Sequence, residues 1–135
     1  AEQELLLSRQ HIVDRILTLA CPRCSQVFVD FEGCFALACS RAGCNCKFCA
    51  YCLTDCGQDS HPHVRQCEHN IAPGRNLFGN AALFENAQHT RRGRMLREFL
   101  GTLDQGMRSQ VVVEISRQLL ELDFDPAEFV GQGSI

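Results

Sequence analysis

No segment of this 135-residue chain is apolar over the length of a membrane span, which needs about 20 such residues. The run Leu5-Leu6-Leu7 is short and follows Glu2 and Glu4, so no secretory leader is expected. Strong charge of one sign is also missing. Thirteen Lys and Arg stand against sixteen Asp and Glu, a net charge of −3. That balance gives no reason to expect nucleic acid or an anionic membrane as the main partner. The chain has no internal repeat and no low-complexity run. It starts on Ala1 rather than Met, and is expected to be a piece of something longer. A hydrophobic content of 45% and a charged content of 21% are ordinary for a globular protein. The length suits one domain, or a small metal domain with a helical appendage.

Cysteine, by contrast, is in excess. Nine of the ten lie between Cys21 and Cys56, with Cys67 close behind. The ladder runs Cys21-x2-Cys24-x9-Cys34-x4-Cys39-x4-Cys44-x4-Cys49-x2-Cys52 and ends in His61, His63 and Cys67. Disulfides are the competing use of an even number of thiols. They have no need of paired CxxC turns with a downstream His, whereas thiolate and imidazole coordination does. Zinc in a reducing compartment, the cytoplasm or nucleus, is therefore expected.

Two tetrahedral zinc sites need eight ligands. Cys21 and Cys24 form the first CxxC pair, and Cys39 and Cys44 complete that site. Cys49 and Cys52 form the second pair, joined by Cys67 and one further group. The His-x3-Cys spacing favours His63 as that group, with His61 and Cys56 as alternatives. Cys46 is left as a small thiol beside the lattice. Cys34 is also left over, just after Gly33, either as a nucleophile or as a small core residue.

The coarse architecture expected is a small zinc-bound domain with short β-hairpins, flanked by an N-terminal helix and a C-terminal helical extension. Residues 1–20 read as a lead-in helix with Leu6, Val13, Leu17 and Ala20 along one side. Residues 21–70 are the metal module. In it Val27-Phe28-Val29 and Phe35-Ala36-Leu37 are strand-like, and Asp30 to Gly33 turns between them. Elements so small cannot bury enough apolar surface alone, and metal binding supplies the missing folding energy. Residues 71–90 read as a linker punctuated by Pro73, Gly74 and Gly79, then a short helix capped by Asn80 and ending near Thr90. Residues 91–135 form the extension, with helices over 91–103 and 107–122. Met95, Leu96, Phe99 and Leu100 line one helix, and Val112, Ile115, Leu119 and Leu122 the other. Arg91, Arg92, Arg94 and Arg97 read as a solvated face, or as a contact for an acidic partner.

The ladder from Cys21-Pro22-Arg23-Cys24 through Gly33-Cys34 to Phe48-Cys49-x2-Cys52-Leu53, with Cys67-x2-Asn70, resembles the catalytic second RING (Rcat) of RING-in-between-RING ubiquitin ligases. The spacing is Ariadne-like and covers residues 21–70. The resemblance implies a ubiquitin-protein transferase with two Zn2+ ions. In it Cys34 takes ubiquitin from a conjugating enzyme as a thioester and passes it to an amine. Splitting one acyl transfer into two easier steps is covalent catalysis. Family members usually carry a His two residues after the cysteine, where this chain has Ala36. A remaining His61, His63 or His69, or Glu32, is the expected substitute. The non-catalytic in-between-RING module of the same family is the near rival, since it shares the fourteen-residue gap from Cys24 to Cys39 and the His-x3-Cys ending. That reading, and the broader one of a zinc scaffold for a protein partner or ubiquitin, leaves Cys34 as filler. A thiol redox or metal-sensing role through Cys46 and Cys56 is a third expectation.

Overall fold

A computed structural model describes residues 2–28 and 31–130. In chain order the elements are α1 (Glu2–His11), a π-type turn (Ile12–Leu17), β1 (Ala36–Ala38), β2 (Lys47–Cys49) and α2 (His61–Gln66). A 3-10 turn (Pro73–Arg75), α3 (Ala81–Leu100), α4 (Gln105–Glu114), α5 (Ser116–Glu121) and a second 3-10 turn (Pro126–Phe129) follow. No helix among the described residues is long and apolar enough to cross a membrane. The chain divides into two compact units. Residues up to Thr18, together with those from Arg92 on, make a helical unit, and Leu19–Arg91 make a cysteine-rich unit.

The helical unit closes on Ile12, Ile16, Leu96, Leu100, Val111, Ile115 and Leu119, all buried. The lead-in helix presents the expected face in part: Leu17 is buried and Val13 packs on the same core, but Leu6 does not. Thr18 N–H bonds Val13 O at 3.0 Å, a five-residue step that widens the helix and rotates its later residues. Ile12 and Ile16 point inward with Leu17, while Leu6 stays 48% exposed. Leu17 O accepts from Arg92 Nε at 3.0 Å, where the two sequence segments of this unit meet.

The expected break near Thr90 does not occur. Asn80 Oδ1 caps the helix through Leu83 N–H at 2.8 Å, but α3 then runs unbroken to Leu100. No proline interrupts 81–100, so propagation costs nothing new at that point. The arginine cluster is a solvated face only in part, with Arg97 exposed and Arg92 and Arg94 half-buried. Arg91 is buried and its Nε donates to Gln88 Oε1 at 3.1 Å, and the Arg97 guanidinium lies 5.5 Å from the centroid of the Phe129 ring. The expected helix over 107–122 is bent at Ile115, between α4 and α5. The Ser116 hydroxyl donates to Val112 O at 2.7 Å, a back-bond that competes with the helical ladder.

In the cysteine-rich unit the strand pairing differs from the expected hairpin. Strand β1 pairs antiparallel with β2 in the register Ala36↔Cys49, Leu37↔Phe48 and Ala38↔Lys47. Val27 instead faces Ala20, and Val29 and Asp30 lie outside the described residues. The reason is local. Cys39 N–H bonds Cys46 O at 2.8 Å, so the turn carrying Cys44 also closes the β1–β2 hairpin. The 71–79 stretch is no linker. Ala72 and Leu77 are buried, Phe35 N–H bonds Leu77 O at 2.7 Å, and Phe78 pairs across from Cys34. Behind these strands, Phe35 stacks on Tyr51 at 4.3 Å and Phe31 on Phe84 at 4.4 Å.

Candidate functional site

Two groups of four ligand-type side chains converge. Cys21, Cys24, Cys39 and Cys44 form one; Cys49, Cys52, His63 and Cys67 form the other. In each, all ligand atoms lie within 4.8 Å of one another. A tetrahedral zinc with Zn–S bonds of about 2.3 Å has S···S edges of about 3.8 Å. The Cys21–Cys44 and Cys24–Cys39 sulfurs are 3.7 and 3.6 Å apart, and Cys52 Sγ lies 3.3 Å from His63 Nε2. Both groups therefore fit a tetrahedral metal ion.

The two CxxC turns are built alike. Ser25 N–H bonds Cys21 O at 2.9 Å and Leu53 N–H bonds Cys49 O at 2.7 Å. Ser25 and Leu53 both take positive φ, 67° and 55°, to bring the chain round. In each turn the amide two residues on points back at the first sulfur, Arg23 N–H to Cys21 at 3.4 Å and Tyr51 N–H to Cys49 at 3.3 Å. Such donors favour the thiolate that a metal needs.

The thiols do not ionise evenly in the absence of a cation. Cys52 is drawn down to about 4, first by its hydrogen bond with Cys49, while Cys49 is driven up by the same bond and by burial. In the other group Cys24 is lowered to about 6, chiefly by the Gln26 amide. Like charges this close oppose one another, and a dication removes the conflict.

The structure brings His63, rather than the alternatives, into the second group. His61 turns its Nδ1 to Asp59 Oδ1 at 2.6 Å. The Cys56 thiol lies 3.3 Å from Thr54 O, half-buried and pushed up by burial. Cys67 is braced from outside, its carbonyl accepting from Arg75 Nη1 at 2.8 Å and from Asn70 N–H at 3.0 Å. Cys46 is fully buried, and burial first of all pushes its thiol up to about 12.

Some contributors are not legible in the ligand spacing. The Cys52 thiol donates to Thr54 Oγ1 at 3.0 Å, and once Cys52 is a thiolate the same hydroxyl is its donor. Arg23, inside the first CxxC, grips Asp55 with both Nε and Nη2 at 3.0 Å and so ties the two turns together. That guanidinium holds the Asp55 carboxyl down to about 2.

Cys34 belongs to neither group. It is half-buried, with its sulfur 3.7 Å from Ala36 O, and it lines a cavity of about 360 Å³ beside Glu32, Gln26 and the β1 strand. Gly33 ahead of it has φ +105°, a conformation L side chains rarely adopt. Of the candidate bases raised by the sequence, His63 is in the ligand group, His61 is held by Asp59, and His69 Nε2 lies 3.4 Å from Glu68. Only Glu32 shares the cavity with Cys34. Comparison with protein-family models, with curated proteins and with solved structures found no match.

Proposed function

We propose that the cysteine-rich unit holds two Zn2+ ions and is the catalytic module of a RING-in-between-RING-type ubiquitin ligase, with Cys34 as its nucleophile. The observation that carries this reading is that Cys34 alone, of the cysteines lining the cavity, stands outside both ligand groups. Bound zinc supplies folding energy and rigidity. Cys21, Cys24, Cys39 and Cys44 would hold one ion, and Cys49, Cys52, His63 and Cys67 the other. Strand β1, which leads into Cys39 and pairs with Cys49, then carries the nucleophile's turn on a fixed frame.

In the loading step the Cys34 sulfur attacks the thioester carbonyl of ubiquitin on a conjugating enzyme. A new C–S bond forms, the old one breaks, and the departing thiolate takes the proton that Cys34 gave up. In the second step an amine attacks the Cys34 thioester, an amide forms and the Cys34 thiol is restored. The partners are ubiquitin, a charged conjugating enzyme and an acceptor protein.

A second reading keeps the zinc and omits the catalysis. Phe78, paired directly across from Cys34, is 60% exposed, and Ala36 offers no base. These features favour a zinc-held platform for a protein partner or ubiquitin.

Intact mass spectrometry with a ubiquitin bearing a C-terminal cysteine-reactive electrophile separates the two. The native spectrum counts zinc and the denatured one counts covalent ubiquitin. Two zincs with one adduct that disappears in Cys34→Ala is the expected result. Two zincs without a Cys34-dependent adduct would move the assignment to the platform.

A further inference from the structure

We propose that Glu32 receives the acceptor amine at the Cys34 thioester, its carboxylate drawing in the ammonium and taking the proton that the amine loses. The inference rests on Cys34 being the nucleophile and adds the group that serves its second step.

Glu32 and Cys34 line the same cavity of about 360 Å³, which is the size range of small-ligand sites. Among the described residues lining it, Glu32 is the only carboxylate, and none is Lys, Arg or His. The other polar side chains are Gln26 and Ser40, both neutral, and the thiols of Cys21 and Cys39 belong to the first metal group. Elsewhere in the cysteine-rich unit Asp55 is engaged by Arg23 and Asp59 by His61. Glu32 has no hydrogen-bond or ion-pair partner among the described residues. A cavity with one unpaired anion beside a nucleophilic sulfur suits a cationic acceptor, and a lysine side chain is one.

The step balances. The ammonium gives one proton to solvent on becoming a nucleophilic amine at the carboxylate. Its nitrogen adds to the thioester carbonyl, the second N–H proton passes to Glu32, and the C–S bond breaks. Glu32 then returns that proton to the departing Cys34 thiolate. An amide and a free thiol result, with no oxidant or cofactor.

The test uses the full chain loaded with zinc. A ubiquitin C-terminal alkyl thioester is exchanged onto Cys34 and the adduct is confirmed by mass. Discharge is then followed with free lysine and, in parallel, with hydroxylamine, which is uncharged at neutral pH. Glu32→Gln is expected to load as the wild type does. It should discharge to lysine about 100-fold more slowly, the lower end of general-base contributions, and to hydroxylamine more slowly by a clearly smaller factor, since hydroxylamine needs the base but not the charge. Glu32→Asp should recover part of the lysine rate. A loaded Glu32→Gln that discharges to lysine at the wild-type rate overturns the role of Glu32 and leaves Cys34 standing. Equal slowing with lysine and hydroxylamine also overturns it, since charge recognition would not be involved. A wild-type chain that forms no thioester on Cys34 overturns both.

Discussion

Removing the metal from the second group is the sharpest test of how this chain folds. The perturbation is His63→Ala, set beside chelation of the wild type. His63 sits on α2, only six residues long, and its Nε2 is 3.3 Å from Cys52 Sγ. Cys49 and Cys67, two of its three fellow ligands, belong to the same buried cluster as Phe35, Tyr51 and Val64. A metal held by that group and the core would therefore form one cooperative structure. A structural zinc site contributes on the order of 10–16 kcal/mol in small zinc peptides, against about 5–15 kcal/mol of total stability for a typical domain. Losing the ion outright should therefore unfold the cysteine-rich unit. Removing one ligand of four should cost roughly a quarter of that figure, about 2.5–4 kcal/mol, as a weaker site and a lower melting temperature. Hydrogen exchange read residue by residue is the assay. After chelation the amides of Leu37, Cys39 and Ala50 should exchange freely, and in His63→Ala they should be less protected. Full protection at these amides with the metal removed would refute the reasoning.

Three further outcomes follow from particular contacts. Thr54→Val removes the hydroxyl 3.0 Å from Cys52 Sγ and should weaken metal binding at the second group by about 10-fold or more, read by competition with a chromogenic chelator. Ile115→Ala empties a fully buried position in the helical unit and should cost about 2–5 kcal/mol in denaturant unfolding, leaving zinc content unchanged. Gln88→Leu deletes the donor to Ala50 O at 2.6 Å and the acceptor for Arg91. It should cost about 1–3 kcal/mol, with greater exchange at residues around Ala50.

The cysteine ladder was readable because a CxxC turn is local. Its sulfurs are placed by three or four residues and two backbone hydrogen bonds, whatever the rest of the chain does. The choice of His63 over His61 was not local. The two lie on one short helix, and the packing of α2 decides which faces Cys52. Strand pairing failed for a related reason. Apolar triplets at 27–29 and 35–37 looked like natural partners, but the turn holding Cys39 and Cys44 fixes the partner of β1 further along the chain. Pro73, Gly74 and Gly79 were read as a linker on composition alone. Burial of Leu77 and its bond to Phe35 depend on contacts some forty residues away. Arg91 is the opposite case, a charge that composition sends to solvent and Gln88 helps hold inside.

The helical unit draws on both sides of the sequence, with Leu17 and Arg92 joined by a hydrogen bond and the whole cysteine-rich unit looped out between them. Closing a flexible loop of roughly 70 residues costs about 4 kcal/mol in chain entropy, plus a constant. A metal-ordered insert has already lost that freedom. The ions would thus act on helices that contribute no ligand. In a zinc-poor environment the helical unit would bear the full entropy of closing that loop before losing a single contact of its own.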